Sequence, residues 1–284
     1  MRVIVHGGAG GVPDEPEPRQ AVLDEAAETG ASAATPLDAV EQAIHVLESS
    51  ERFNAGVGGA VQSDGVVRTD AGVMTSDREA GAAASMEGVE HAVSAARVVL
   101  EETPHVFVAG EHAVELAADF GVETGVDLLT GENRERFEDA EPPAGTPSEH
   151  LAWLRERFGG HDTVGAVAHD GDDFAAATST GGRFFALAGR VGDVPQLGSG
   201  FYCAPAGGAS ATGAGEDIAK ATLTRRAVRH LERGMDAQEA AELAIEEFAE
   251  LTGSRAGVIV LDESGAGSAY NSDGMQTSVA ERSE

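Results

Sequence analysis

The sequence contains a single cysteine, Cys203, and a single lysine, Lys220, among its 284 residues. One cysteine excludes an internal disulfide, and without a Cys-x-x-Cys pair there is no zinc-ribbon signature. No stretch approaches the roughly 20 apolar residues of a membrane-spanning helix, and the opening residues MRVIVHGGAG lack the apolar region of a signal peptide. We therefore expect a soluble, cytoplasmic protein with no membrane partner.

The charge is one-sided, with 49 acidic residues against 19 basic ones and a formal net charge of −30. A hydrated carboxylate surface stays soluble in concentrated salt, where the screening length falls to about 3 Å at 1 M. The composition is therefore typical of a halophilic protein. The arginines do not cluster into the basic stripe that phosphate backbones require, so we expect no nucleic-acid partner.

The apolar pattern of the first half predicts strands and amphipathic helices in alternation. The segment MRVIVHGG indicates a buried strand that runs into a glycine turn. Two helices are predicted at Arg19–Glu28 and Pro36–Glu48, the second with Thr35 as N-cap and proline at the first helical position. Residues 58–87 suit paired strands, and helical spacing returns at about 90–102 and 110–119.

The character of the chain changes between Gly121 and about Gly160, where three prolines and a charged run interrupt the periodicity. We predict a flexible linker over 121–160. Strands are predicted after it at Thr163–His169, Phe174–Thr178, Val258–Asp262 and Ser268–Asn271, and helices at Glu216–Glu232 and Asp236–Leu251. Strands at both ends with helix pairs in each half favour one layered α/β sandwich over separate domains.

Six glycine-rich motifs occur in order along the chain: HGGAG at 6–10, FNAGVG at 53–58, DAGVM at 70–74, HDTVGAVAHDGDDFAAATSTGG at 161–182, GRVGD at 189–193 and ATGAGEDI at 211–218. Together they resemble the threonine N-terminal-nucleophile (Ntn) hydrolases of the plant-type asparaginase, isoaspartyl peptidase and glycosylasparaginase family. The resemblance covers nearly the whole chain. It implies an α+β fold, a four-layer αββα sandwich, over a single domain of residues 1–284.

The resemblance also implies self-cleavage between Asp162 and Thr163, which gives an α-chain of residues 1–162 and a β-chain of residues 163–284. A threonine hydroxyl is a weak nucleophile and needs a base within hydrogen-bond reach. A free α-amine, with an unperturbed pKa of about 7.7–8.0, supplies that base only once the peptide bond is cut. The pair His161-Asp162 is similar to the glycosylasparaginase branch, and Asp162 is a candidate to assist the cleavage.

Further roles follow from the motif positions, as the resemblance implies them. Thr180 would hydrogen-bond the nucleophile, and Thr212 with the Gly213 N–H would form the oxyanion hole. Arg190 would grip the substrate α-carboxylate with its guanidinium fork, while Asp193 and the Gly215 carbonyl would receive the α-ammonium. We expect Asn54 to line the same site.

The loop from Leu47 to Val57 resembles the family's alkali-ion loop, in which backbone carbonyls hold sodium; potassium could replace it in a halophile. The predicted carbonyl ligands are those of Leu47, Glu48, Ser50, Phe53, Ala55 and Val57. No cofactor is expected for the chemistry itself.

The predicted activity is release of aspartate from L-asparagine or β-aspartyl dipeptides, with a small-molecule substrate as partner and a homodimer of αβ units implied by the resemblance. Two alternatives stay open: a glycosylasparaginase-like amidase, and an unprocessed amino-acid-binding relative. Two departures bear on the leaving group. Thr75 stands where the family often has an acidic residue, and the loop Arg183–Ala188 is more apolar than usual.

Overall fold

The computed structural model describes residues 1–157 and 163–282. Its strands are β1 Arg2–Gly10, β2 Arg68–Thr75, β3 Ala80–Glu87, β4 Phe107–Ala109, β5 Val164–His169, β6 Phe174–Thr180, β7 Phe201–Ala204, β8 Gly207–Gly213, β9 Ala256–Leu261, β10 Ala266–Tyr270 and β11 Gly274–Glu281. Its helices are α1 Pro16–Ala31, α2 Pro36–Glu48, α3 Ala92–Glu102, α4 Glu111–Asp119, α5 Gly131–Asp139, α6 Pro147–Arg157, α7 Gly215–Ala221, α8 Leu223–Leu231 and α9 Ala237–Thr252.

The larger sheet has seven strands in the order β11-β1-β5-β6-β2-β3-β4. Helices α1 to α4 cover one face of it and bury a core of mostly alanine, valine and leucine side chains, with Leu23 and Ile44 facing Val5 and Val164 of the sheet. The central strands β5 and β6 are buried along their whole length. Apolar runs of this kind are expected where both faces of a sheet are covered.

The smaller sheet has four strands in the order β10-β9-β8-β7, and helices α7 to α9 pack on its outer face. Its inner face meets the larger sheet across a third cluster, in which Phe201, Ile259 and Leu261 contact Ile4 and Val167. The layers therefore run helix, sheet, sheet, helix. This confirms the predicted four-layer αββα sandwich.

Local sequence signals account well for α2, which spans the predicted residues. The Thr35 hydroxyl accepts a hydrogen bond from the Asp38 N–H at 3.1 Å, as an N-cap should. By contrast, the predicted helix Glu216–Glu232 is wrong as one element. Thr222 has a φ of 51°, in the left-handed region, and it separates α7 from α8.

Four strands were not predicted, and the first of them is the three-residue β4. Strands β7 and β8 lie in a glycine- and alanine-rich stretch, and β11 is largely polar, so none shows a clear apolar alternation. The predicted turn after the first strand is also wrong, because β1 continues to Gly10. The pairing of β1 with β11 resumes at Ala9 after an irregularity that follows His6.

The segment 121–160 holds two helices in its described part, α5 and α6. Trp153 of α6 packs edge-on against Phe185 at 5.0 Å between ring centroids, and its indole N–H donates to the Ala140 carbonyl at 3.0 Å. The apolar loop Arg183–Ala188 therefore packs against the segment that precedes residue 163. The flexibility of this segment and the division into two chains stay predictions.

Within residues 1–157 and 163–282, every helix is too short or too polar to cross a membrane.

Candidate active site

Thr163 stands immediately before β5, beside the end of β6. Because Val164 pairs with Ser179, Thr163 lies next to Thr180, the last residue of β6. The Thr163 hydroxyl donates to the Thr180 hydroxyl at 3.4 Å, and both residues are buried. Thr180 also accepts a hydrogen bond from the Gly182 N–H at 3.1 Å. The structure thus brings together the predicted nucleophile and its predicted hydroxyl partner.

A small pocket surrounds Thr163, and it contains most of the residues predicted for the site. Its lining consists of Thr163, Thr180, Gly182, Arg183, Arg190, Gly192, Asp193, Val194, Gly213 and Gly215. Six of the predicted residues thus converge from β5, β6, the 189–193 loop, β8 and the start of α7. We call this the threonine pocket.

Charged groups on one side of the threonine pocket form a compact cluster. The Arg190 Nε–H donates to Glu216 Oε1 at 2.9 Å, and Arg183 Nη1 lies 3.0 Å from Glu216 Oε2. Burial raises the pKa of Asp193 to about 6, although Arg190 acts in the opposite direction. Asp193 Oδ2 is buried and has no hydrogen-bond partner among the described residues. The cluster offers both a guanidinium and an unsatisfied carboxylate to a ligand.

Gly215 leaves space for the Asp193 and Arg190 side chains of this cluster. A methyl group at residue 215 would lie 2.5 Å from Asp193 Oδ1 and 2.9 Å from Arg190 Nη2, closer than carbon atoms approach polar atoms in real structures. A methyl group at residue 215 would therefore displace the Asp193 carboxylate and the Arg190 guanidinium from their positions. The predicted role of the Gly215 carbonyl is consistent with this position.

Thr212 and Gly213, the predicted oxyanion-hole residues, end strand β8. Gly213 lines the threonine pocket and has a φ of 135°, which only glycine adopts readily. Thr212 is buried, and its hydroxyl accepts a hydrogen bond from the Ala9 N–H at 3.3 Å. The HGGAG motif of β1 is therefore in direct contact with Thr212.

Asn54 adjoins the threonine pocket, because its backbone carbonyl accepts a hydrogen bond from the Thr180 hydroxyl at 3.4 Å, and its place in the site stays a prediction. Its amide group donates to the Gly182 carbonyl at 2.6 Å, and its carbonyl accepts from the Ala60 N–H at 2.8 Å. It lines a neighbouring pocket with Phe53 and Phe184 rather than the threonine pocket. Asn54 thus fixes the backbone beside Thr180 in this structure.

His6 lies beside the backbone of Thr163. It is fully buried, and Nε2 lies 3.0 Å from the Ser210 hydroxyl. Burial lowers the pKa of His6 to about 3, against a smaller effect of the Thr163 backbone. The imidazole is therefore neutral near pH 7, and it connects β1 to the backbone of Thr163 and to Ser210 of β8.

Three charged residues of the cluster were missed by the residue predictions. Arg183 and Glu216 are described above, and the third is Asp70 of β2, whose carboxylate accepts from the Ser85 N–H at 2.7 Å. Burial raises the pKa of Asp70 to about 7, while Arg190 lowers it and Asp193 raises it further. Asp70 and Glu216 could have been selected as site residues from the sequence, because they stand inside the motifs DAGVM and ATGAGEDI.

The loop 47–57 folds tightly, with backbone carbonyls turned inward. A methyl group at Gly58 would lie 2.9 Å from the carbonyl oxygens of both Glu51 and Phe53. Three of the predicted ligand carbonyls, those of Leu47, Glu48 and Ser50, already accept backbone hydrogen bonds at 2.8–3.3 Å. Since a carbonyl oxygen has two lone pairs, these hydrogen bonds leave one lone pair on each oxygen for the predicted alkali ion.

The Glu48 side chain serves a separate purpose from its carbonyl. It is fully buried, and Oε1 accepts from the Ser179 hydroxyl at 2.6 Å and from the Val93 N–H at 3.1 Å. His45 and His91 lie close by, with potential ligand atoms of the three residues within 4.8 Å of one another. The carboxylate joins α2 and α3 to the strand that ends at Thr180.

The αββα sandwich, with a threonine at the head of a central strand, defines a hydrolase with the Ntn fold. The asparaginase family model (Asparaginase_2) matches residues 1–284, and the chain belongs to this family.

Similar proteins include a plant-type L-asparaginase of Pyrococcus abyssi, 40% identical over 280 residues that cover 93% of this chain and 91% of that protein. An isoaspartyl peptidase/L-asparaginase of Danio rerio is 37% identical and covers 93% of this chain and 86% of its own length. The human protein of the same name is 36% identical, with 93% and 87% coverage.

Proposed function

We propose that this protein hydrolyses the side-chain amide of L-asparagine and of β-aspartyl dipeptides and releases aspartate. The relatives named above are asparaginases and isoaspartyl peptidases at 36–40% identity. The observation that carries the proposal is the threonine pocket. It places the Thr163 hydroxyl beside Thr180 and in the same small space as Arg190 and Asp193.

In this proposal Thr163 becomes the first residue of a new chain. The free α-amine takes the proton of the hydroxyl, and the hydroxyl oxygen attacks the side-chain carbonyl of the substrate. The Gly213 N–H and the Thr212 hydroxyl stabilise the negative charge on that carbonyl oxygen. Ammonia or an amine then leaves with a proton, and water hydrolyses the ester to release aspartate and restore Thr163.

The charged cluster explains why the substrate is an amino acid with free α-groups. Arg190 binds the α-carboxylate, and Asp193, whose buried oxygen has no hydrogen-bond partner among the described residues, binds the α-ammonium. Two opposite charges held a fixed distance apart select a zwitterion. A buried charge that lacks its partner is costly, so amides without these groups should be poor substrates.

Substitution of the nucleophile tests the proposal. Thr163→Ala removes the attacking oxygen for both self-cleavage and catalysis, and loss of a nucleophile typically lowers kcat by about 10⁶-fold in a serine protease. We expect one uncut chain by intact mass and no ammonia release from asparagine. Thr163→Ser keeps the hydroxyl and should retain cleavage and partial activity. Thr103→Ala, at the end of α3 and outside the threonine pocket, is the matched threonine control and should behave like the unaltered protein.

A substrate panel separates the alternatives left open by the sequence. Asparagine, a β-aspartyl dipeptide and N-acetylglucosaminyl-asparagine share the same aspartyl portion and differ only in the leaving group. The proposal predicts the highest kcat/KM for one of the first two. A preference for the glycosylated substrate would favour the glycosylasparaginase-like alternative, and binding without turnover or cleavage would favour the non-catalytic one.

Four further features belong to the same proposal: an alkali ion in the loop 47–57, a homodimer of αβ units, a cytoplasmic location and adaptation to high salt. The inward-facing carbonyls of the loop 47–57 support the alkali ion, and the net charge of −30 supports the adaptation to high salt. Thermal unfolding in NaCl, KCl and choline chloride tests the ion and salt predictions together. A midpoint that is the same in all three salts would contradict a specific ion, and one independent of salt concentration would contradict the adaptation.

A further inference from the structure

Four arginines line one cleft on the outer face of the molecule. The cleft has a volume of about 360 Å³ and is lined by Thr222, Arg225, Arg226, Arg229, His230, Arg233 and Glu247. Arg225 and Arg229 are four residues apart on α8 and so lie on one side of the helix, and Arg233 follows two residues after its end. The expectation that the arginines form no basic cluster is therefore wrong for this surface, which we call the α8 cleft.

The positive charge of the α8 cleft is only partly compensated. Arg225 pairs with Glu232 at 3.0 Å, and Arg226 lies 3.3 Å from a carboxylate oxygen of Glu247. Within residues 1–157 and 163–282, the side chains of Arg229 and Arg233 have neither a hydrogen bond nor an ion pair, and both residues are exposed. Two positive charges are thus in excess, in a chain that has 49 acidic residues against 19 basic ones.

His230 lies at the bottom of the cleft and supplies a second, independent observation. It is 3% exposed, and neither Nδ1 nor Nε2 has a hydrogen-bond partner among the described residues. Nε2 is 3.4 Å from Glu247 Oε2 without an aligned hydrogen bond. An imidazole carries at least one N–H in every protonation state, and buried polar groups are nearly always satisfied. A bound acceptor would satisfy it.

We propose that the α8 cleft binds a phosphoryl oxyanion, either free phosphate or the phosphate group of a small metabolite. Guanidinium forks donate two hydrogen bonds at once to phosphate oxygens, and several forks around one cleft match a tetrahedral anion that has acceptors on every side. The Glu232 and Glu247 carboxylates hold Arg225 and Arg226 in place. Arg229, Arg233 and the His230 N–H are left to contact the anion.

The cleft is separate from the threonine pocket, with which it shares no lining residue. The two are joined by α7, which begins at Gly215 in the pocket and ends at Ala221, whose carbonyl accepts from the Arg226 guanidinium at 2.7 Å. The proposal is thus independent of the reaction at Thr163 and can fail or succeed without it.

Titration calorimetry on the purified full-length protein, in whichever processed state it is isolated, tests the proposal. Inorganic phosphate, pyrophosphate and glycerol phosphate are titrated at constant ionic strength with chloride as the background anion. We expect saturable binding at one site per chain. Tighter binding of glycerol phosphate would identify a phosphorylated metabolite as the source, whereas equal or tighter binding of inorganic phosphate would identify the free anion.

Two variants locate the site. R229Q/R233Q removes the unpaired guanidiniums and should weaken binding by at least about ten-fold, since a charged hydrogen bond contributes about that much. His230→Gln removes the imidazole and should weaken binding as well. The matched control, R78Q/R134Q, removes two exposed arginines elsewhere and should leave the Kd unchanged.

Two results would overturn the proposal. One is the absence of saturable binding, or binding weakened equally by R229Q/R233Q and R78Q/R134Q. The other is a loss of molecular mass by light scattering in R229Q/R233Q with no effect of phosphate. In that case the arginines would contact the acidic surface of a second copy of the chain.

Discussion

The threonine pocket and the α8 cleft use arginine in opposite ways. In the pocket, Arg183 and Arg190 share the Glu216 carboxylate and are mostly buried, with side-chain exposures of 12% and 15%. In the cleft, Arg229 and Arg233 are exposed and unpaired within the described residues. A balanced, buried set of charges can orient a zwitterion, whereas an unbalanced, open set can attract only an anion.

We expect Arg190→Lys to give the largest difference in effect between the threonine pocket and the α8 cleft. An ammonium cannot donate the two parallel hydrogen bonds of a guanidinium, and truncating a buried charge pair costs about 2–5 kcal/mol. We expect Arg190→Lys to lower kcat/KM for asparagine by about 100-fold and to leave the Kd of the cleft for phosphate unchanged. Steady-state kinetics and calorimetry on the same preparation measure both.

Arg255→Lys serves as the matched control, because Arg255 forms an exposed pair with Asp273 at 3.0 Å. Exposed pairs contribute about 0–1 kcal/mol, so kcat/KM should hardly change. Equal losses in the two lysine variants would contradict a specific role for Arg190.

A second prediction concerns the close packing of the threonine pocket, which the open α8 cleft lacks. Gly215→Ala places a methyl group against Asp193 and Arg190, and overpacking of this kind costs about 1–3 kcal/mol. We expect KM for asparagine to rise by about ten-fold while the protein stays folded.

The matched control is Gly131→Ala, at the first residue of α5, where an added methyl group meets nothing within 4 Å. It tests the cost of losing a helix-initiating glycine without a collision. If both alanine variants raised KM equally, the effect could not come from the charged cluster.

The pH dependence of product binding gives the smallest predicted effect. In the proposed mode of binding, Asp193 binds the α-ammonium only when charged, and burial raises its pKa to about 6. Aspartate affinity should therefore be full above pH 7 and fall by up to about ten-fold per unit below pH 6. Calorimetry between pH 7.5 and 5 measures this.

Asp70, with a pKa of about 7, is the other acid of the cluster whose pKa is raised, and Asp70→Asn shows which of the two carboxyl groups causes the pH dependence. A midpoint that stays near pH 6 in this variant assigns the titration to Asp193. A flat profile in the unaltered protein would contradict a charged contact to the substrate.

Much of the threonine pocket could be predicted because its residues lie in short motifs at the ends of strands. Thr163 precedes β5 and Thr180 ends the neighbouring strand β6 of the larger sheet, while Gly213 ends β8 of the smaller sheet. The packing of the two sheets therefore brings the three residues together. Arg190 and Asp193 share one loop.

The hydrogen bonds of Asn54 to the Gly182 carbonyl and the Ala60 N–H could not be predicted, because a side-chain amide can hydrogen-bond either a substrate or the backbone. The α8 cleft was missed for a different reason. Arg225 and Arg226 are adjacent in the sequence, but Arg229 and Arg233 follow only after intervening apolar and acidic residues, and the four converge through the helical turn and the packing of α9. Strands β7, β8 and β11 were missed because glycine and polar residues hide the alternation of a sheet face.

The central claim is that the nitrogen of Thr163 must become a free amine before the hydroxyl can act. The most direct measurement follows intact mass, the N-terminal sequence of the new chain and ammonia release in parallel while freshly purified protein matures. The account predicts a second chain that begins at Thr163, and an activity that rises in proportion to the cleaved fraction from zero. Full activity in protein that is still one uncut chain would contradict it.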